Sequence, residues 1–82
     1  MSTYASDIDN ALQVVARQAE NGLNLKDLEE STTFEALDAL SKTGMANFIV
    51  TRFASGRYRF RWIASPHIMP AGEKRLKEIR GE

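Results

Sequence analysis

Residues 47–63, NFIVTRFASGRYRFRWI, hold two runs rich in Phe, Ile, Val, Tyr and Trp that meet at Ser55-Gly56. Such runs on either side of a glycine-containing break are the pattern of a β-hairpin, because glycine permits the positive φ of a tight turn. With Ser55 and Gly56 as a two-residue loop, Ala54 pairs with Arg57, Phe53 with Tyr58 and Arg52 with Arg59. Thr51 then pairs with Phe60, Val50 with Arg61 and Ile49 with Trp62. Side chains alternate faces along a strand. One face therefore carries Ile49, Thr51, Phe53, Tyr58, Phe60 and Trp62, the material of a core. The other carries Arg52, Arg57, Arg59 and Arg61. Arg52 opposite Arg59 is a like-charge pair, which costs stability unless an anion or acidic neighbour answers it. That guanidinium face is the strongest functional signal in the chain.

The flanking sequence reads as helices. Ser6 is placed to cap a first helix, with Asp7 and Asp9 at the positive end of its dipole and Asp9 in the capping-box position. Ile8, Ala11, Leu12, Val15, Ala16 and Ala19 recur at helical spacing, and Asn21-Gly22 stops the run. A short second helix is expected over Leu25 to Glu30 with Leu25 and Leu28 inward, and Leu23-Asn24 is a candidate edge strand against the hairpin. Thr32, with Glu35 three residues on, forms a T-x-x-E capping box for a third helix whose buried stripe is Phe34, Leu37 and Leu40, helped by Ala36, and which ends at Gly44. Pro70 suits the first turn of a last helix running to about Arg80. There Ile68, Ala71, Leu76 and Ile79 would dock on the core while Lys74, Arg75, Lys77 and Arg80 stay wet. Residues 1–5 and 81–82 read as frayed ends of one domain spanning 1–82, a length that folds without staples.

Helix, short helix, helix, hairpin, helix is the element order of the winged helix-turn-helix superfamily. The passage Leu37-x-x-Leu40-x-x-x-Gly44-Met45, running into a strand at Phe48, resembles the superfamily's L-x-x-L-x-x-x-G-L-I passage from recognition helix to wing. His67-Ile68-Met69-Pro70-Ala71-Gly72-Glu73 followed by Leu76 resembles the L-T-P-A-G-x-x-x-L opening of the last helix in MarR-like and PadR-like regulators. The likeness covers Asp7 to Ile79. It implies an α+β winged helix: a three-helix bundle, a β-hairpin wing and a C-terminal helix. The chain departs from the pattern in a shorter interval from Leu28 to Leu37, in Met69 where a capping threonine is usual, and in its third helix. The outer face of that helix offers Glu35 and Asp38 with Lys42 as its only cation, whereas readers of guanine or adenine edges present Arg, Lys, Asn or Gln.

What the resemblance implies for function is duplex DNA binding, in a cytoplasmic transcriptional regulator. Arg52, Arg57, Arg59 and Arg61 would meet the phosphate backbone or minor groove. Thr32 and Thr33, with the amides that open the third helix, would hold a phosphate, and Lys42 would add a peripheral contact. Four phosphate contacts would give a slope of log K against log salt of about −3 to −4. The alternative is a winged-helix module that binds protein through the acidic third helix, and a homodimer is a further expectation. Interleaved Arg-Tyr-Arg-Phe-Arg-Trp also suggests stacking of single-stranded bases. Parity opposes that, because Tyr58, Phe60 and Trp62 share a face with the apolar residues of a small core.

Composition fits a binding role. The net charge is zero, yet residues 1–44 hold three basic and eight acidic side chains while residues 45–82 hold eight basic and three acidic. A chain so divided can meet a polyanion with its basic half, or neutralise itself across the fold. The absence of cysteine removes disulfides and thiolate metal sites. The single histidine, His67, leaves no mixed metal cluster, and no phosphate-cradling glycine loop or partnered nucleophile is present, so neither an enzyme nor a cofactor is expected. No apolar run approaches the ~20 residues of a membrane span, and the start lacks a signal-peptide pattern.

Overall fold

A computed structural model describes residues 5–81 as four helices and one two-stranded antiparallel hairpin. In chain order these are α1 (Ala5–Asn21), α2 (Leu25–Ser31), α3 (Phe34–Ser41), β1 (Phe48–Arg52), β2 (Tyr58–Trp62) and α4 (Pro70–Arg80). The helix boundaries follow local chemistry. α1 stops where Gly22 takes φ +93°, and α4 begins on Pro70 at its first turn and ends on Gly81 at φ +78°. Both stops lie where the sequence places them.

Several local expectations are corrected. α1 already runs through Ser6, so Ser6 is a first-turn residue and the cap falls outside the described residues, as do residues 1–4 of the expected frayed end and Glu82. Leu23-Asn24 is no strand: the Asn24 side chain accepts from the Asp27 N–H and caps α2. The cap of α3 is Thr33, whose Oγ1 accepts from the Ala36 N–H at 3.1 Å. Thr32 instead closes α2 and is buried. α3 ends at Ser41, and Gly44 belongs to the turn beyond it at φ +77°. In α4, Ala71 is exposed and Gly72 is the residue that faces inward. A Cβ at Gly72 would overlap the Met45 carbonyl oxygen and lie 2.9 Å from Ile68 Cγ2, so α4 sits on the entry to β1 only because no side chain intervenes.

The hairpin register also differs from the expected one. Phe48 pairs with Trp62, Ile49 with Arg61, Val50 with Phe60, Thr51 with Arg59 and Arg52 with Tyr58. The loop has three residues, Ala54, Ser55 and Gly56. The Phe53 N–H donates to the Arg57 carbonyl at 2.8 Å, the Gly56 N–H donates to the Phe53 carbonyl at 2.9 Å, and Gly56 takes φ +90°. One residue more in the loop turns every β1 side chain to the other face. Phe48 and Val50 are therefore buried with Phe60, while Ile49, Thr51 and Phe53 face out. Packing favours this register: it buries Val50 opposite Phe60, where the expected register would set Thr51, and stacks Phe48 on Phe60 at 4.8 Å; burying an apolar side chain contributes about 1.5–3 kcal/mol that threonine would not match. The stem of the hairpin is held by Asn47 N–H to the His67 carbonyl, Met69 N–H to the Met45 carbonyl and a bridge between Ala46 and Ile68.

The core joins Leu12, Val15, Leu28, Leu37 and Leu40 to the inner face of the hairpin, with Ile68 and Leu76 closing it from the C-terminal side. Polar ties fix the helices around it. Asp27 collects Arg17, Gln18 and Ser31, which holds its carboxyl below the usual range, mainly through the Arg17 hydrogen bonds. Arg75, expected to be wet, instead pairs with Asp9 at 2.6 Å and joins α4 to α1. Tyr58 spans the remaining joint: its hydroxyl accepts from the Phe34 N–H at 3.0 Å, while its own N–H donates to Glu29 at 2.8 Å.

Candidate nucleic-acid interface

The outer face of the hairpin is built by its register. Successive rungs set Ile49 opposite Arg61 and Thr51 opposite Arg59, and the loop-closing bond sets Phe53 opposite Arg57. The hairpin thus presents Ile49, Thr51 and, just past β1, Phe53 in one column, and Arg61 and Arg59 of β2 beside it, with Arg57 immediately before β2 at the same parity. Ile49 is 45% exposed, Phe53 51% and Ile63, just past β2, 58%. Ile49, Thr51, Arg59 and Arg61 line an open recess of about 240 Å³.

The four arginines divide by what answers them. Among the described residues neither Arg59 nor Arg61 makes an ion pair or a side-chain hydrogen bond. Arg57 folds over the edge of β2 onto Glu29, its Nε donating at 2.9 and 3.0 Å. Glu29 is 17% exposed and also accepts the Tyr58 N–H, so this contact is a structural tie between α2 and the hairpin. The Arg57 hydrogen bond, then the Tyr58 amide, hold the Glu29 carboxyl below its ordinary value. Arg52 lies opposite Tyr58 rather than Arg59, on the side of α3, where it stands 3.8 Å from Glu35 with both side chains largely exposed. So loose a surface pair is worth about 0–1 kcal/mol and exchanges readily for another anion. The expected Arg52–Arg59 repulsion does not arise, and the expected face of four cations is corrected to two unpaired guanidiniums with an apolar column beside them.

The other expected contacts fare differently. Lys42 pairs with Asp38 one turn back on α3 at 3.0 Å. The exposed side of α3 and its surroundings therefore balance Glu35 and Asp38 against Arg52 and Lys42. Thr32 is buried and so is withdrawn from the phosphate contact expected of it, whereas Thr33 is exposed and its hydroxyl accepts from the Ala36 N–H as the cap of α3. The rings of Tyr58, Phe60 and Trp62 do turn inward: Phe60 is buried, Tyr58 and Trp62 are half-buried, and Trp62 stacks on His67 at 4.2 Å. Ile49 and Phe53, expected with them, are on the opposite face. What sequence reasoning missed is the apolar column, and the signal available for it was Phe48, an aromatic with core parity only if the loop has three residues.

Among the described residues no group of three or more His, Asp or Glu is arranged to hold a metal ion, and no helix is long and apolar enough to cross a membrane. Compared with models of known protein families, with curated proteins and with solved structures, the chain matches none.

Proposed function

We propose that this protein is a small winged-helix DNA-binding protein of the transcriptional-regulator kind, and that its hairpin supplies the contact with the duplex. The observation that carries the proposal is the pair Arg59 and Arg61, two residues apart on an uncovered strand face and unanswered by any carboxylate among the described residues. Unpaired guanidiniums are good ligands for phosphate and for base edges, because no internal salt bridge has to be broken first. The element order and the hairpin at its place after α3 support the winged-helix assignment.

Two phosphate contacts give a slope of log K against log salt of about −1.8, a 12-fold loss of affinity between about 50 and 200 mM salt. Fluorescence anisotropy of a labelled duplex across that range measures it. Arg59→Glu with Arg61→Glu is expected to abolish the binding while leaving the circular dichroism spectrum intact, since both side chains are exposed. Unchanged affinity in that variant refutes the proposal.

A second reading, a protein-binding module, is favoured by the three large apolar residues exposed on or beside the hairpin, Ile49, Phe53 and Ile63. It no longer draws on α3, whose acidic side chains are balanced by Arg52 and Lys42. Raised salt separates the two, because apolar docking is not weakened by screening.

A further inference from the structure

We infer that the outer face of the hairpin, rather than α3, is the element that reads bases, and that it does so in the major groove of duplex DNA. This inference rests on the proposed DNA-binding function and goes beyond it from affinity to sequence readout.

The geometry fits in three respects. The hairpin is a two-stranded antiparallel ribbon with one face against the core and the other uncovered. Two strands about 4.8 Å apart carry side chains into a groove about 12 Å wide, which admits such a ribbon. Side chains two residues apart on one strand are separated by about 6.8 Å, the rise of two base-pair steps of about 3.4 Å. Arg59 and Arg61 are so spaced and face the same way. The chemistry fits as well. A guanidinium fork bonds guanine O6 and N7 together, and Ile49 and Thr51 on the neighbouring strand supply apolar contact for thymine methyls. α3 lacks these means, offering Glu35, Asp38 and an already paired Lys42.

The inference specifies duplex DNA. The deep, narrow major groove of A-form RNA excludes side chains. It also specifies a pattern: two G·C pairs separated by one base pair, with A·T pairs alongside.

The probe is a duplex DNA library with a randomised core, from which the full-length protein selects its tightest binders. The expected result is enrichment of guanines two positions apart. Replacing those guanines by 7-deazaguanine, which lacks the N7 acceptor, is expected to remove most of the preference over random duplex. Arg59→Lys and Arg61→Lys keep the charge but lose the fork. Each is expected to reduce the selected-over-random ratio by about 5- to 150-fold.

Four outcomes overturn the inference. Duplex binding without enrichment, indifferent to 7-deazaguanine and to the lysine variants, means backbone contact only and leaves the proposed function standing. Loss of the preference in Lys42→Ala, with the arginine variants unaffected, returns readout to α3. Equal competition by single-stranded DNA makes the face a stacking platform. Failure to bind any duplex ends both this inference and the function on which it rests.

Discussion

Glu29→Gln isolates what the internal tie withholds from the hairpin face. The wild-type carboxylate holds Arg57 through two contacts of 2.9 and 3.0 Å and also accepts the Tyr58 amide. Glutamine keeps an acceptor for that amide but removes the charge that retains Arg57. Arg57 is then free to return to the outer face, opposite Phe53, as a third unpaired cation in line with Arg59 and Arg61. Each added phosphate contact steepens the slope of log K against log salt by about 0.9, from about −1.8 to about −2.7. Between about 50 and 200 mM salt the loss of affinity for duplex DNA grows from about 12-fold to about 40-fold, with tighter binding at the low end. Anisotropy titrations over a salt series read both quantities, and a thermal melt confirms that the variant is folded. Adding Arg57→Ala to the variant returns the slope to the wild-type value. A folded Glu29→Gln protein whose slope is unchanged or shallower refutes the idea that Arg57 is a withheld cation.

The remaining predictions concern the frame that carries this face. Gly72→Ala drives a methyl group into the Met45 carbonyl and Ile68, disturbing the Met69–Met45 hydrogen bond, and is expected to cost about 2–4 kcal/mol. Differential scanning calorimetry should show a melting temperature lower by about 10–30 °C, and an unchanged value contradicts the close approach of α4. Thr33→Ala removes the cap of α3 at a cost of about 1 kcal/mol, and Thr33→Ser restores most of it; equal stability of all three by urea titration would shift the cap elsewhere. Asp9, Asp27 and Glu29 all have carboxyls held below their ordinary values, by Arg75, Arg17 and Arg57 respectively. The stabilisation they confer is therefore complete above the ordinary carboxylate range and is lost as pH falls below about 4, through the lowered folded-state values. Urea midpoints should hold steady from neutral pH to about pH 5 and drop by about pH 3, and Asp9→Asn should lower the neutral-pH midpoint and flatten the acid drop. A midpoint that stays level into acid counts against these ties.

Much of the frame was legible because its signals are local. Pro70 fixes the start of α4 by what it cannot donate, and Asn21-Gly22 ends α1 by what only glycine adopts easily. Parity on β2 was equally plain, since Tyr58, Phe60 and Trp62 alternate with Arg59 and Arg61. The face of β1 was not, because it is set by loop length. Gly56 satisfies a two-residue and a three-residue loop alike, and only the packing of Phe48 on Phe60 decides between them. The threonine pair was ambiguous for a similar reason: Thr32 and Thr33 each precede a suitable first turn, and the choice falls to whichever one the α2–α3 joint buries. The Glu29–Arg57 contact joins residues 28 apart in the chain, where no periodicity reaches. That pairing, with the looser Arg52–Glu35 contact, is what leaves Arg59 and Arg61 as the two free groups.

Tyr58 has a mechanical consequence. One residue anchors the loop end of β2 to two helices by different atoms, the hydroxyl to the opening amide of α3 and the main-chain N–H to a carboxylate of α2. Tilting the ribbon against the bundle strains both bonds together, so a load applied at the ribbon is delivered to the elbow between those helices. Ribbon and elbow are thereby coupled through one residue, by its ring at one end and its main chain at the other.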